Sequence, residues 1–281
     1  MPKVLIIGAG YLGHRFQEAM EDVLLTDKII DTVRDVEDLL REYHPEAVLN
    51  CAGTTGVPNV DWCESHPVET YKGNTVLPLL LAEACQKHGI HLTHLGSGCV
   101  FYGTSPEEAG WREEDHANPS ATYSRSKYAA DLVLTTLPNV AIARLRMPID
   151  SRPGARNLID KLANYPKIID VENSVTVVDD LIDVVRQLIE KRGEGIFHVV
   201  NPGTMRHKDL MTLYKELVDP DHTCEWITED DLVRQGLAVK RRSNNIMQSH
   251  RLEEIGIHMR PINEALCDTM IKYAEAKRGN K

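Results

Sequence analysis

The sequence predicts an α/β protein built on a doubly wound parallel sheet, with a smaller, mainly C-terminal lobe. In the first part of the chain, short apolar segments typical of buried strands alternate with helical segments. After residue 148 the pattern changes, because Pro and Gly interrupt longer polar stretches. We therefore expect residues 1–148, completed by about 172–200, to form the sheet domain, and residues 149–171 and 201–281 to form the lobe.

The N-terminal segment has the pattern of a nucleotide-binding turn. Val4–Ile7 is a short apolar run, as in a strand buried on both faces, and a glycine-rich turn and a helical stretch follow it. Glycines let the backbone approach a pyrophosphate, and the helix N-terminus supplies amide donors. This predicts a Rossmann-type domain, with a ligand-free strand–helix turn as the alternative. The residues assigned to dinucleotide binding here are Gly8, Gly10, Tyr11, Leu12 and Gly13.

Two further segments bear on the cofactor. Asp27 lies about 20 residues past the first glycine, where an acidic residue can bind ribose hydroxyls and favour NAD. Arg15 and Lys28 would instead suit the 2′-phosphate of NADP, so both cofactors stay open, with NADPH favoured. The next apolar strand ends in small residues, so that a ligand can lie against its tip. These residues, also assigned to the cofactor, are Asn50, Cys51, Ala52 and Gly53.

Tyr123 and Lys127 are candidates for a proton donor and the cation that tunes it. They are four residues apart, so on a helix they share one face. A nearby ammonium favours the phenolate and lowers the pKa of the phenol toward neutrality. Ser97 ends the predicted strand Leu92–Ser97, and ligands of parallel sheets lie at the carboxyl ends of strands. The order Ser97, Tyr123, Lys127 therefore predicts a reductase site, against the alternative of an ordinary surface pair.

The composition excludes several classes of protein. The 281 residues carry a net charge of −10, which disfavours binding to nucleic acid or to anionic membrane surfaces. The sequence has no apolar run of membrane-spanning length. The six cysteines form no C-x-x-C pair, which indicates reduced thiols and a cytoplasmic location. The 12 histidines show no metal-ligand spacing, so we expect no metal.

Several longer strings carry a resemblance. They are Gly56-Val57-Pro58-Asn59-Val60-Asp61-Trp62-Cys63-Glu64, Arg146-Met147-Pro148-Ile149, Asn173-Ser174-Val175-Thr176-Val177, Asn201-Pro202-Gly203 and Arg242-Ser243-Asn244-Asn245. With these, the chain resembles the extended short-chain dehydrogenase/reductases. Within that class it resembles the bifunctional nucleotide-sugar 3,5-epimerase/4-reductases of L-rhamnose synthesis, and more loosely the dTDP-4-dehydrorhamnose reductases. The glycine-rich turn departs from the family's G-x-x-G-x-x-G, since Ile7 stands at its first glycine.

The resemblance implies a UDP- or dTDP-linked 4-keto-6-deoxyglucose as substrate. Its C4 ketone would be reduced with NADPH or NADH, with 3,5-epimerisation in the same pocket. Tyr123 would give the proton, Lys127 would lower its pKa and hold the ribose, and Ser97 would hydrogen-bond the carbonyl. The resemblance also places Asn74 near this group, where it would orient Lys127. The alternative for Asn74 is a helix N-cap.

Cys99 and Lys161 are the candidates for epimerisation. In an extended segment Cys99 would share a face with Ser97, so that a thiol could exchange the acidic protons at C3 and C5. The resemblance places a lysine acid in the first helix of the lobe, where Lys161 stands. The alternatives are a small buried hydrophobe for Cys99 and a solvated helix lysine for Lys161.

The remaining expectations concern substrate and assembly. Arg242, rather than its neighbour Arg241, would hold the diphosphate. Further substrate contacts are assigned to Asn59, Asn157 and Asn244. A homodimer is expected through the apolar segments Val76–Ala84 and Tyr128–Leu137. Two other functions stay open: a 4-reductase without epimerase activity, and a non-catalytic dinucleotide-binding regulatory subunit.

Overall fold

The computed structural model describes residues 3–57 and 59–279. The strands are β1 (Val4–Ile7), β2 (Val23–Thr26), β3 (Ala47–Asn50), β4 (His91–Ser97), β5 (Val140–Leu145), β6 (Pro148–Ile149), β7 (Lys167–Ile169), β8 (Glu172–Asn173), β9 (Thr176–Val177), β10 (Gly195–Val199), β11 (Met205–Arg206) and β12 (Glu225–Ile227). The helices are α1 (Tyr11–Ala19), α2 (Val33–Tyr43), α3 (Trp62–Ser65), α4 (Pro67–Tyr71), α5 (Leu77–His88), α6 (Thr122–Leu134), α7 (Leu158–Asn164), α8 (Val178–Glu190), α9 (His207–Leu217), α10 (Glu229–Arg234), α11 (His250–Glu254) and α12 (Ile262–Gly279). A π turn covers Lys72–Val76, and a 3-10 turn covers Gly98–Val100.

The first compact unit contains residues up to Val100, His116–Arg144 and Ile182–Phe197. Its six-stranded sheet has the order β10-β5-β4-β3-β1-β2. Strand β1 pairs in parallel with β2 and β3, and β3 pairs in parallel with β4. All residues of β1, β3 and β4 are buried, as the apolar runs predict for strands covered on both faces. The predicted doubly wound α/β fold is confirmed.

Helix α5 shows how local sequence sets an element of this unit. Pro78 lies in its first turn, where the fixed φ of proline suits the helix. Gly89 ends the helix with φ of 66°, a left-handed conformation that glycine adopts without a Cβ penalty. Leu81 and Cys85 on its inner face pack into the core formed with β1, β3, β4 and β5. The helix therefore packs against one face of the central strands.

The second compact unit contains Phe101–Asp115, Leu145–Leu181 and His198–Lys281. Its strands form short pairs, β6 with β9, β7 with β12 and β8 with β11. Its core includes Ile159, Leu210, Met270 and Tyr273. The segment 101–115, expected in the sheet domain, groups with this unit instead. The reason is pairing to a distant stretch, since Trp111 N donates to Ile246 O and Gln248 N to Trp111 O, each at 2.8 Å.

Three local expectations need correction. The sequence pattern of Lys28–Ile30 is that of a short strand, but this run forms no strand. The polar pattern of Thr54–His66 is that of a long loop, but this segment contains helix α3, and α4 follows directly. Cys99 lies on a 3-10 turn and not in an extended segment. Within the described residues no helix is both long and apolar enough to cross a membrane.

Candidate active site

The glycine-rich turn after β1 fits a dinucleotide because side chains are excluded there. A Cβ on Gly8, at φ of 102°, would lie 2.7 Å from the Ala52 backbone. A Cβ on Gly13 would lie 2.1 Å from Gly8 O. Gly10 is the N-cap of α1 and faces open space, while Tyr11 and Leu12 form the first, half-buried turn. The backbone amides at this helix N-terminus are thus accessible to an anionic group.

A cavity of about 270 Å³ adjoins this turn. It lies against Ile7, Gly8 and Ala52, at the carboxyl ends of β1 and β3, where parallel sheets bind ligands. Asp27, Lys28 and Lys72 are among the residues that line it. Lys72 comes from the π turn and was not among the predicted residues. Arg15 is 6% exposed and lies 3.9 Å from Glu18 on its own helix. The cavity therefore offers both a carboxylate and ammonium groups to a nucleoside.

The tip of β3 is held by a buried amide–imidazole pair. Asn50 Oδ1 accepts a hydrogen bond from Ala52 N at 3.0 Å, so its Nδ2 donates to His94 Nδ1 at 2.9 Å. Burial, and then the charge of Lys127, hold the pKa of His94 well below its ordinary value. Burial raises the pKa of the adjacent Cys51 thiol far above its ordinary value. Both side chains are therefore neutral at physiological pH.

The π turn places Asn74 at the centre of a hydrogen-bond network. Asn74 Oδ1 accepts from Thr54 N at 2.8 Å, and its Nδ2 donates to Thr54 O at 2.9 Å and to Ser126 Oγ at 3.0 Å. Ser126 Oγ in turn donates to Tyr123 O at 2.7 Å. Asn74 is fully buried and sits inside a continuous helical path, so it is no N-cap. It connects the loop after β3 to the backbone of the candidate acid.

Lys127 is buried directly beneath this network. It is 6% exposed, and its Nζ donates to Leu95 O at 3.0 Å. A Cβ on Gly53 would lie 3.4 Å from the same Nζ, so the chain passes close to the ammonium. Burial lowers the pKa of Lys127 to about 8, against opposing effects of Asp131 and Cys51. Tyr123 lies one helical turn earlier and is half-buried.

A buried ion pair continues the same helix face. Asp131, one turn beyond Lys127, and Arg144 on β5 are 0% and 1% exposed. Arg144 Nε donates to Asp131 Oδ2 at 2.8 Å. Among the described residues, Asp131 Oδ1 has no hydrogen-bond partner. Sequence reasoning missed this pair, although the spacing of four residues from Lys127 to Asp131 was visible.

Ser97 and Cys99 lie at the carboxyl end of β4. Ser97 is 5% exposed, and its Oγ accepts a hydrogen bond from Cys99 N at 3.2 Å. The Ser97 hydroxyl keeps its own proton for donation to a ligand. Cys99 is half-buried. The two residues are thus brought together by a turn, not by the alternation of a strand.

Glu64, the last residue of the most distinctive string, holds the N-terminus of α6. Its Oε1 accepts from Thr122 N at 2.8 Å and its Oε2 from Thr122 Oγ1 at 3.2 Å. The N-cap residue Ala121 provides no side-chain cap. Thr122 directly precedes Tyr123, so this carboxylate anchors the start of the catalytic helix. Asn59, in the same string, accepts from Asp61 N at 2.8 Å and shapes the loop.

In the second unit, α7 carries two predicted residues. Asn157 is fully buried and caps the helix through Ile159 N at 3.2 Å. Its Nδ2 donates to Asp150 O and Arg152 O at 2.7 and 2.9 Å, so its amide is engaged in holding the loop. Lys161 is half-buried, and burial, followed by the charge of Arg156, lowers its pKa. A lysine with a lowered pKa gives up its proton more readily.

Three of the distinctive strings meet in the second unit. Arg146 donates to Asn173 Oδ1 at 2.6 Å and to Ser243 O. Asn173 Nδ2 donates to Asn244 Oδ1 at 3.1 Å, and Asn244 Nδ2 to Glu229 Oε1 at 2.6 Å. Arg242 follows on from Arg241, which pairs with Asp230. Arg242 itself is half-buried. The network supports the backbone on which Arg242 is carried.

Within residues 3–57 and 59–279, no cluster of three or more His, Cys, Asp or Glu side chains could hold a metal ion.

The first unit contains most of the predicted residues. These are Gly8, Gly10, Tyr11, Leu12, Gly13, Asp27, Asn50, Cys51, Ala52, Gly53, Asn59, Asn74, Ser97, Cys99, Tyr123 and Lys127. The arrangement can hold a dinucleotide and donate a proton beside a buried cation.

Residues 3–275 match the family model described as RmlD substrate binding domain. A bifunctional dTDP-4-dehydrorhamnose 3,5-epimerase/dTDP-4-dehydrorhamnose reductase of Arabidopsis thaliana is 35% identical over 240 residues, covering 83% of this chain and 78% of that protein. An A. thaliana trifunctional UDP-glucose 4,6-dehydratase/UDP-4-keto-6-deoxy-D-glucose 3,5-epimerase/UDP-4-keto-L-rhamnose-reductase is 34% identical over 84% of this chain, which spans only 35% of that relative. The structure of the L780 UDP-rhamnose synthase from Acanthamoeba polyphaga mimivirus superimposes with a TM-score of 0.89 at 29% identity, covering 96% and 99% of the two chains.

Proposed function

The chain belongs to the RmlD substrate-binding domain family, and we propose that it reduces the C4 ketone of a nucleoside-diphospho-4-keto-6-deoxy sugar with NADPH or NADH. We further propose that it epimerises C3 and C5 of the same substrate and yields an NDP-L-rhamnose-type product. The observation that carries the proposal is Lys127, buried one turn after Tyr123 at the carboxyl ends of β3 and β4. The epimerase/reductase and UDP-rhamnose synthase names of the relatives support the reaction and the substrate class.

The residues of the first unit would hold the cofactor. Gly8, Gly10 and Gly13 clear space for the pyrophosphate, and the start of α1 supplies its amides. Asp27, Lys28 and Lys72 line the cavity suited to the adenosine end. We favour NADPH, since two lysines face one carboxylate there. When bound, the nicotinamide supplies the hydride.

The chain's own residues handle the proton. Tyr123 donates it to the C4 oxygen, and the Ser97 hydroxyl hydrogen-bonds the same oxygen. The Lys127 ammonium lowers the pKa of the Tyr123 phenol and binds the ribose hydroxyls. Asn74 and Ser126 hold the backbone of Tyr123, so the phenol is presented from a fixed helix.

Cys99 and Lys161 are proposed for epimerisation. The protons on C3 and C5 are acidic because both carbons flank the ketone. Cys99 takes the proton as a thiolate, and Lys161 returns one from its ammonium. The lowered pKa of Lys161 supports the role of acid. The enolate formed on the way carries its charge on the C4 oxygen, which Ser97 and Tyr123 already stabilise.

Substrate contacts and assembly complete the proposal. Arg242 would hold the diphosphate, with Asn59, Asn157 and Asn244 near the sugar or base. The base is uracil or thymine, as the names of the relatives include both UDP- and dTDP-linked sugars. A homodimer through α5 and α6 and a cytoplasmic location remain expectations. No nucleic acid or membrane partner is proposed.

The proposal is tested by a turnover assay with UDP- and dTDP-4-keto-6-deoxyglucose and both nicotinamides. NMR of the product reads its stereochemistry. We expect an L-rhamnose-type product from the wild type. In Tyr123→Phe we expect at least about a thousandfold slower reduction with cofactor binding retained. Unchanged turnover in that variant would exclude Tyr123 as the acid. Reduction without inversion would favour the 4-reductase alone, and cofactor binding without turnover would favour the regulatory subunit.

A further inference from the structure

The buried ion pair Asp131–Arg144 has no role in the proposed reaction, and burying two charges costs desolvation free energy. Both side chains are withdrawn from water, and one carboxylate oxygen of Asp131 lacks a hydrogen bond among the described residues. Buried ion pairs contribute little net stability, and replacing them with apolar residues is often neutral or stabilising. Stability alone is therefore a weak reason for a carboxylate at this position.

The position of Asp131 on α6 suggests that it acts on Lys127. The two residues are four apart on α6, so their side chains lie on one face, one turn apart. Asp131 interacts with two cations. It forms an ion pair with Arg144, and the charge of Lys127 also favours its ionised form. Burial raises the pKa of Asp131, and the two cations oppose that rise, Arg144 more than Lys127.

The other titratable groups facing Lys127 bring it no negative charge. Cys51, after β3, favours the Lys127 ammonium only as a thiolate, and burial raises its pKa so far that it is uncharged at neutral pH. His94, on β4, is a neutral imidazole whose pKa is far below its ordinary value. The remaining polar contact is the carbonyl of Leu95. Among the described residues around Lys127, the carboxylate of Asp131 is thus the group that favours the ammonium.

We propose that Asp131, held ionised by Arg144, is a positioning residue that keeps Lys127 protonated at the reaction pH. This inference rests on the proposed function, since it assigns Asp131 to the tuning of the proton donor. Without the carboxylate, the main influence that opposes burial would be missing, so the pKa of Lys127 would fall toward neutral pH. A neutral Lys127 would neither lower the pKa of Tyr123 nor attract the ribose as a cation.

The test is direct titration of Lys127 in the cofactor-free protein. The ¹³Cε chemical shift of Lys127, assigned by its absence in Lys127→Met, is followed from pH 6 to 11. Asp131→Asn keeps the shape and an acceptor for Arg144 but removes the charge. We expect the Lys127 pKa to fall by about one unit or more, which is a tenfold shift of its protonation equilibrium toward the neutral amine. The alkaline limb of kcat/KM should move to lower pH by the same amount.

Two further variants serve as a control and as a replacement for Asp131→Asn. Glu113→Gln removes another buried carboxylate, which accepts from His198 N at 3.2 Å, and should leave the Lys127 titration in place. Asp131→Leu/Arg144→Met removes the ion pair without leaving a lone buried charge, and serves if Asp131→Asn does not fold. Its Lys127 pKa should fall as well, but by less than in Asp131→Asn, because the loss of the Arg144 cation acts in the opposite direction.

An unchanged Lys127 titration in a folded Asp131 variant overturns the inference, whatever happens to stability. Loss of stability without a shift is what a purely structural pair predicts. If the Lys127 titration shifts in the Asp131 variants but the wild-type protein shows no reductase activity, the two conclusions separate. The shift would support the action of Asp131 on Lys127, and the lack of activity would overturn the proposed function. The two failures are therefore distinguishable.

Discussion

Cys99 lies on a single 3-10 turn, and its backbone amide donates a hydrogen bond to the hydroxyl of Ser97. This hydrogen bond leaves the Ser97 hydroxyl proton available and holds the two residues together at the end of β4. A thiol here is half-buried, so it is neither a sealed core residue nor freely solvated. This environment suits a base that must reach a substrate carbon while its neighbour holds the substrate carbonyl.

We predict that Cys99→Ser stops exchange of deuterium from heavy water into C3 and C5 of the keto sugar. The reason is that a serine hydroxyl is a far weaker acid than a thiol, so at least about a hundredfold loss is expected. Proton NMR of the recovered sugar measures the exchange. The same variant should still reduce a keto sugar that has already been epimerised.

Cys267→Ser is the matched control, since Cys267 is an exposed thiol on α12. It should exchange both positions at the wild-type rate. Exchange at that rate in Cys99→Ser as well would place the base elsewhere in the chain.

At the scale of elements, α6 depends on a carboxylate from outside the helix. Its own N-cap, Ala121, has no side-chain oxygen that could accept a hydrogen bond, and Glu64 accepts from both the amide and the hydroxyl of Thr122. An acidic group at a helix N-terminus satisfies a free amide and complements the helix dipole. The string that ends at Glu64 thus has a structural reason to accompany the Tyr-x-x-x-Lys motif.

We predict that Glu64→Gln lowers the free energy of unfolding by about 1–2 kcal/mol, the usual cost of a weakened cap. It should also reduce kcat, because the helix start that carries Tyr123 is less firmly held. Denaturant unfolding and steady-state kinetics measure the two effects.

Glu69→Gln makes the same change at an exposed glutamate of α4. We expect it to stay within about 0.5 kcal/mol of the wild type. If Glu64→Gln behaves like Glu69→Gln, the contact with Thr122 contributes nothing.

Elements with a strong local signal could be predicted from the sequence. The uninterrupted apolar runs of β1 and β3 and the long helix α5 are examples. Helix α3 was missed because four polar and aromatic residues show no helical period. The burial of Asp131 against Arg144 could not be predicted either, since the partner comes from β5 and only the fold brings them together.

At the scale of the whole molecule, the candidate residues divide between two units. The proton donor, its lysine and the glycine-rich turn belong to the first, and Lys161 and Arg242 to the second. The sequence pattern indicated both groups but not that 101–115 joins the second. The long-range pairing of Trp111 with the chain near Met247 decides that assignment, and it has no local signal.

We predict a homodimer through α5 and α6. Val76, Leu132 and Val133 are 45%, 51% and 43% exposed, although their side chains are apolar. Val76 is the N-cap of α5, and Leu132 and Val133 lie on the neighbouring helix α6. Exposed apolar residues at such positions favour burial against a second copy. Sedimentation at micromolar concentration should give the mass of a dimer, and Leu132→Glu should give that of a monomer.

Ile271→Glu is the control, because Ile271 on α12 is also 45% exposed but lies outside these helices. It should leave the dimer intact. A monomeric wild type would contradict the prediction, and equal dissociation by both variants would move the interface elsewhere.

The π turn at Lys72–Val76 makes the active site sensitive to chain length as well as to residue type. A π turn accommodates one residue more than the same stretch of α-helix. Removing one residue here would convert the turn to ordinary α-helix and change the direction in which the residues within it point. Asn74 would then lose its place beside Thr54, and Lys72 its place on the cavity wall. A single deletion that left every proposed catalytic side chain present would thereby remove the hydrogen bonds that connect Asn74, through Ser126, to the backbone of Tyr123.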